Sequence, residues 1–203
     1  GLLSGHARAA QFPVSPVSPL YPSELDTAFS ATAFADALAA CETRPTRTLR
    51  LVVNSENAFK VSVAHQIAAT FTTSGIPMEA VSLPWAEYTA ALAAGRFDLY
   101  YGEVRLLADW DVSSLLATGG SLNYGGWSDA QCNQLLEACR SSAGRETALN
   151  ALYRYLREQT PILPVCFKTV SALYESDVLE GLTPTAAEPF YDLNSCVIHL
   201  SVG

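Results

Sequence analysis

Between residues 49 and 104 the apolar positions alternate between two periods. Residues 49–53 form a short β-branched run, which reads as a strand. Over residues 58–74, Ala64, Ile67, Ala68 and Phe71 fall at helical spacing, and Gly75 stands where a helix-ending glycine belongs. Residues 78–83 read as a second strand. Pro84 can start a helix carrying Trp85, Tyr88 and Leu92, which Gly95 stops. Residues 97–104 read as a third strand. Strand, helix, strand, helix, strand predicts parallel pairing through right-handed crossovers.

The flanks have a different pattern. Residues 11–22 carry four prolines, so an extended, irregular connector lying on a surface is expected. Ser30 can cap a helix running to about residue 41, with Phe34, Ala37, Leu38 and Cys41 as one apolar stripe; the polar stretch 42–47 with Pro45 ends it. Residues 105–127 are a long loop, and Trp110 and Trp127 make it aromatic enough to be ordered. Ser128-x-x-Gln131 reads as a capping box. A helix follows with Cys132, Leu135, Leu136 and Cys139 on one side, and another over 145–158 turns Leu149, Leu152, Tyr153 and Leu156 inward. Residues 161–167 and 170–174 read as two strands joined by a turn at Lys168-Thr169. The expected class is α/β, a mixed sheet flanked by helices.

Composition narrows the function. The chain of 203 residues is 49% apolar and carries a net charge of −8, so it can bury a core but lacks the basic stripe that nucleic-acid binding needs. No apolar run is long enough to cross a bilayer, and residues 1–6 do not read as a signal peptide. Five cysteines leave at least one unpaired within the chain and show no metal-binding spacing. Cys132 and Cys139 sit on a core stripe, where a thiol packs as a small hydrophobe; a Cys132–Cys166 disulfide is an open alternative.

Catalytic constellations are scarce. His6 and His199 lie near the ends and His65 falls inside a crossover helix, which points to exposed or structural histidines. No nucleophile elbow is present. Gly119-Gly120 and Gly125-Gly126 lack the preceding strand and following lysine of a phosphate cradle and fit tight turns. Neither a cofactor nor a metal is implied. A small hydrolase using a carboxylate or Cys166 is the enzymatic alternative. The acidic cluster after the third strand is more informative. Glu103, Asp109 and Asp111, with Arg105 between and Trp110 alongside, start at the carboxyl end of a strand, where α/β sheets bind ligands. A carboxylate beside aromatics can hold a cationic group such as a peptide amino terminus. The bland alternative is a local Glu103–Arg105 pair with loop-capping aspartates.

Several segments of this half carry a resemblance when taken in order: Phe97-Asp98-Leu99-Tyr100, Ala108-Asp109-Trp110-Asp111, Asn123-Tyr124-Gly125-Gly126-Trp127-Ser128-Asp129, Leu152-Tyr153 and Thr160-Pro161-Ile162-Leu163-Pro164. The chain resembles the C-terminal half of family 5 solute-binding proteins, the extracytoplasmic receptors of peptide, dipeptide and nickel ABC importers. The resemblance covers nearly the whole chain, including the proline-rich residues 13–22. It implies the C-terminal lobe of a type II periplasmic-binding-protein fold. Residues 29–181 would be the solute-binding lobe, 1–28 a connector packing on it and 182–203 a return segment.

The resemblance also implies partners: a peptide or other small solute, ABC permease subunits, and an N-terminal lobe of the same protein. The location would be extracytoplasmic, with a lipid anchor outside this chain. Asp109 matches the aspartate that pairs with a peptide's amino group in such receptors, and Trp110 would be an aromatic wall. Glu103, Arg105, Tyr124 and Trp127 are further substrate-binding candidates. The chain departs from the family pattern at Trp110, where a tyrosine is usual, at Asp111-Val112 and at Glu103-Val104-Arg105. A nickel complex, a sugar or an opine-like solute therefore stays open, as does a sensor or chaperone-like role without transport.

Overall fold

The structure, a computed structural model, describes residues 5–28, 30, 32–141, 143–169, 173–175, 177–185, 188 and 190–199. Its strands are β1 (Ala7–Ala9), β2 (Leu49–Asn54), β3 (Met78–Leu83), β4 (Leu99–Tyr101), β5 (Cys166–Lys168), β6 (Leu179–Glu180) and β7 (Val197–Ile198). Its helices are α1 (Ala33–Ala40), α2 (Ala58–Thr73), α3 (Trp85–Ala93), α4 (Ser113–Leu116), α5 (Ala130–Cys139) and α6 (Arg145–Gln159).

The alternation read from the sequence folds as expected into a parallel sheet of order β3-β2-β4. Side chains on a strand alternate between faces. Leu51 and Val53 thus point to one side, where they pack with Ala64 and Ala68 of α2 and with Met78. Val52 points to the other, against Tyr88 and Leu92 of α3. One helix per face makes three layers. Both helices end as their glycines predict: Gly75 and Gly95 adopt φ of 93° and 63°, and the next amides, of Ile76 and Arg96, return to Phe71 and Ala91.

Two details differ in this region. β4 spans only Leu99–Tyr101 rather than 97–104, because β2 offers it partners only at Leu51, Val52 and Val53. Asp98, placed at the head of that strand, instead works as a staple: its carboxylate accepts from the Arg47 guanidinium and, at 2.8 Å, from the Arg50 amide. Of the three large side chains that α3 carries, Tyr88 and Leu92 are buried, while the Trp85 ring is exposed and leans on Tyr88.

A second core lies among α4, α5, α6 and the N-terminal segment. Leu149, Leu152, Tyr153 and Leu156 of α6 are buried as expected, with Leu136, Cys132 and Cys139 of α5. All five cysteines are free thiols, and no Cys132–Cys166 bridge forms. The proline-bearing segment lies only partly on the surface: Val17 is exposed, but the stretch on either side is anchored inward. Phe12, Val14 and Leu25 belong to this core, and Phe12 meets Tyr153 at 5.7 Å between ring centroids. Proline excludes the segment from regular structure but not from burial; its apolar residues fill the groove beside α6, and Arg157 of α6 donates to the Leu25 carbonyl at 2.8 Å.

Other expectations are corrected at the helix ends. α5 is capped by Asp129, one residue after the expected Ser128, because the Asp129 carboxylate accepts both the Cys132 amide at 2.6 Å and the Tyr155 hydroxyl at 2.8 Å. Ser128 meets Thr118 instead. In α1 the Ser30 hydroxyl accepts the Ala33 amide, but only Leu38 of the stripe is buried; Ala37 and Cys41 stay exposed, and Phe34 meets Phe71 edge-on. The antiparallel pairs are separate from the parallel sheet: β1 joins β5, and β6 joins β7. Residues 170–172 of the expected strand 170–174 lie outside the described residues, and Leu173 and Tyr174 are exposed without strand pairing.

Candidate functional site

The loop that leaves β4 is built around an unusual backbone. Trp110 adopts φ of 55°, the left-handed region that a bulky side chain rarely occupies, at a cost on the order of 1–3 kcal/mol. Several contacts hold it there. Its amide returns to the Leu107 carbonyl at 3.0 Å, and its indole N–H donates to Ser18 Oγ at 3.1 Å. Phe167 of β5 meets its ring edge-on at 5.6 Å. Arg145, in the first turn of α6, donates through Nη2 to the Asp109 carbonyl at 2.5 Å. Next along the chain, Asp111 accepts from the Ser113 amide and hydroxyl and so starts α4. Burial pushes the Asp111 carboxyl up, but the two Ser113 hydrogen bonds and the nearby Arg140 and Arg145 charges outweigh it, and the carboxyl titrates below its usual range.

The three acidic candidates are used differently. Asp111 caps. Glu103 pairs with Lys168 at 2.9 Å through both oxygens and with Lys60 at 3.0 Å. The Lys168 hydrogen bonds above all, and Lys60 next, hold it below the usual carboxylate range against burial. Asp109 is half-buried, accepts the Asp111 amide at 3.2 Å, and has no ion pair among the described residues.

Strand β5 separates the candidates. Phe167 touches Trp110 and the adjacent Lys168 touches Glu103, and neighbours on a strand point to opposite faces, so Glu103 lies away from the Asp109–Trp110 pair. Tyr124 sits elsewhere, its exposed ring edge-on to Tyr100 at 6.0 Å. Trp127 packs against the helical core. Its buried N–H finds no acceptor of normal geometry, yet it still lowers the Cys132 thiol, which burial pushes up; a soft, weakly accepting sulfur contact reconciles the two observations. Asn123 closes the loop that carries both aromatics: its side-chain oxygen accepts the main-chain N–H of Trp127, not the indole, at 2.9 Å, and its side-chain nitrogen donates to the Trp127 and Ala117 carbonyls. Arg105 is exposed.

The glycines fit turns, as read from the sequence. Gly119 and Gly126 have φ of 75° and 68°, and a Cβ on Gly120 would come within 2.5 Å of the Ser114 carbonyl oxygen. Burial pushes the Cys166 thiol up, so thiolate is scarcer there than at an exposed cysteine, which disfavours it as a nucleophile. Among the described residues no cluster of three or more His, Cys, Asp or Glu could hold a metal ion. Sequence reasoning missed Arg145, Ser18, Phe167 and both lysines around Glu103. No local signal marks them, because Ser18 and Arg145 reach this loop across 92 and 36 residues.

Solved structures share this architecture. HbpA2 from Haemophilus parasuis superposes with a TM-score of 0.76 at 16% identity, over 98% of this chain and 41% of that one. The fold is of the periplasmic-binding-protein type. NikZ from Campylobacter jejuni, in complex with Ni(L-His), matches 97% of this chain and 44% of its own at a TM-score of 0.70 and 14% identity. The oligopeptide-binding protein AppA from Bacillus subtilis, in complex with a nonapeptide, matches 98% and 44% at 0.63 and 16%. The chain thus spans less than half the length of each. Neither a family model nor a curated protein sequence matches it. In this periplasmic-binding-protein-type fold the Asp109–Trp110 loop leaves the carboxyl end of the parallel sheet, the side on which α/β sheets hold ligands.

Proposed function

We propose that this chain is the C-terminal lobe of a family 5 solute-binding receptor for an ABC importer, that it works outside the cytoplasmic membrane, and that it grips a peptide against a second lobe. Asp109 is the anchor for the peptide's amino group. One observation carries this choice: of the three carboxylates around the loop, Glu103 is neutralised by two lysines and Asp111 caps α4, while Asp109 has no ion pair among the described residues. A half-buried carboxylate held on a fixed backbone gives a charge-assisted hydrogen bond its direction and part of its desolvation. The binding character of the matched proteins supports a receptor over an enzyme, and the nonapeptide bound to AppA supports a peptide. A small chelate is the second reading, because the similarly folded NikZ holds Ni(L-His).

The test is calorimetry and thermal shift on the two-lobed protein. Free-amine peptides raise the melting temperature by mass action, and N-terminal acetylation abolishes the shift. Asp109→Asn weakens peptide binding roughly 30-fold or more, the scale of a truncated charge pair, and leaves the unliganded protein folded. Unchanged affinity would overturn the anchor, and a shift with nickel–histidine but not with peptides would overturn the solute class.

A further inference from the structure

We infer that Arg145 is a positioning residue for solute binding: from the start of α6 its guanidinium grips the Asp109 carbonyl and sets the direction in which the Asp109 carboxylate is presented. This rests on the reading of Asp109 as the anchor.

Three observations support the assignment. First, the contact is a hydrogen bond from a charged donor to a main-chain carbonyl, at 2.5 Å across 36 residues of sequence. Second, the carbonyl belongs to the peptide unit that leads directly into the left-handed Trp110, so the grip fixes the unit whose rotation would release the strain. With that unit free, Trp110 could relax toward an ordinary backbone conformation and the preceding side chain would swing with it. Third, the arginine is held in place. Its Nε is buried without a hydrogen-bond partner, and the left-handed Gly144 (φ 73°) caps α6 immediately before it, so the side chain starts from a fixed helix end. Leaving one donor unsatisfied is unfavourable, and a residue kept only for stability would be replaced by an apolar side chain at little loss.

Two of the other supports of Trp110 act on its side chain. Ser18 accepts the indole N–H, and Phe167 covers the ring. Arg145 holds the carbonyl end of the peptide unit between Asp109 and Trp110, whose N–H end is held by the Leu107 carbonyl within the same loop; of the supports from outside the loop, it acts on the main chain. The tryptophan and the arginine thus hold the anchor from its two sides, and the preorganisation spares the solute from ordering the loop on binding.

The experiment is a double-mutant cycle on the two-lobed protein, with a free-amine peptide as the probe. Arg145→Met removes the donor and keeps the stem. It is expected to weaken binding roughly 10- to 100-fold, the range that corresponds to a lost hydrogen bond to a charged group. Arg145→Lys, which can still reach the carbonyl with one donor, recovers part of the affinity. Arg145→Met combined with Asp109→Asn binds no more weakly than Asp109→Asn alone, because the arginine acts through the aspartate. Hydrogen exchange reads the backbone without any ligand: Arg145→Met speeds exchange at the Trp110 and Asp111 amides. If the two substitutions add fully, Arg145 touches the solute itself or acts elsewhere, and the positioning role is wrong. Wild-type affinity in Arg145→Met would also overturn it. Should Asp109→Asn bind normally while Arg145→Met still frees the loop amides, the anchor reading fails and the arginine is a loop clamp with no part in binding. If Arg145→Met does not fold, the lysine variant decides: intact protection with intermediate affinity supports the role, and loss of affinity with an unaltered loop removes it.

Discussion

The parallel-sheet region and the helical region are built on opposite plans. In the sheet region the buried contacts join elements within one short stretch of chain: β2 to α2, α2 to β3, β3 to α3, with β2 also reaching β3, α3 and β4. In the helical region the core is assembled from distant pieces, with Phe12, Val14 and Leu25 set against α5 and α6, which begin more than a hundred residues later. The sheet region is closed by charge, through Asp98 and the Arg47 and Arg50 groups, and the helical region by aromatic and aliphatic burial around Tyr153. The difference teaches where sequence patterns carry information: a period encodes the face of one element, and says nothing about which remote segment covers it.

The hardest test of this division is Phe12→Ala. It empties a buried ring position in the helical core and should destabilise the protein by about 3–5 kcal/mol. Hydrogen exchange should rise first in α5 and α6, with β2 protected until global unfolding. Simultaneous loss of protection in both regions would erase the distinction. A smaller effect with the opposite sign is expected at Tyr153. Its hydroxyl is buried without a partner, and burial pushes its ionisation well above the usual range. Tyr153→Phe therefore removes an unsatisfied group and should stabilise by up to roughly 1–3 kcal/mol in chemical denaturation. A clear loss of stability would mean that the hydroxyl has a partner.

Much of the sheet region is legible in the sequence. The β-branched runs, the helical stripe of α2 and the two stop glycines lead directly to β2, α2, β3 and α3. The burial of residues 12–14 is not legible, because prolines mask the apolar pattern and the covering helices are remote. The site is legible only in part. Asp109 and Trp110 emerge as a pair, but nothing local reveals that Lys60 and Lys168 claim Glu103, or that Trp127 serves the core. The Asp129 cap is legible only to within one residue, because Ser and Asp are both good caps and the Tyr155 hydroxyl that selects Asp129 comes from another helix.

Smaller effects sharpen the same comparison. Glu103 joins α2 of the sheet region to β5, which lies beside the helical region, through Lys60 and Lys168. The carboxylate is substantially exposed, so after solvent screening Glu103→Gln should cost only about 0.5–1 kcal/mol, and less at high salt. An effect that persists in 1 M salt, where screening reaches roughly 3 Å, would indicate a buried lock between the regions.

The smallest signal belongs to Asp98, whose carboxyl is held at about 2 by the Arg47 and Arg50 hydrogen bonds, against 3.8 unperturbed. A carboxylate lowered on folding contributes stability that is fully present above its unfolded value and is lost as pH falls through the folded one. Stability of the sheet region should accordingly decline between about pH 4 and pH 2, and Asp98→Asn should flatten that part of the profile. An NMR titration of the Asp98 carboxyl that gives an ordinary value would remove the staple.

The Arg157–Leu25 hydrogen bond spans 132 residues, and that span has a consequence during biosynthesis. At a ribosomal rate of roughly 5–20 residues per second, residues 12–25 wait on the order of 7–26 s before the α6 residue that receives them has been made. The sheet region can begin to organise during that interval from its own sequence. The proline-rich segment cannot, and its apolar side chains stay uncovered meanwhile. Prolines that keep it from joining a β-sheet edge during that wait are therefore as useful to the nascent chain as Phe12 is to the finished core.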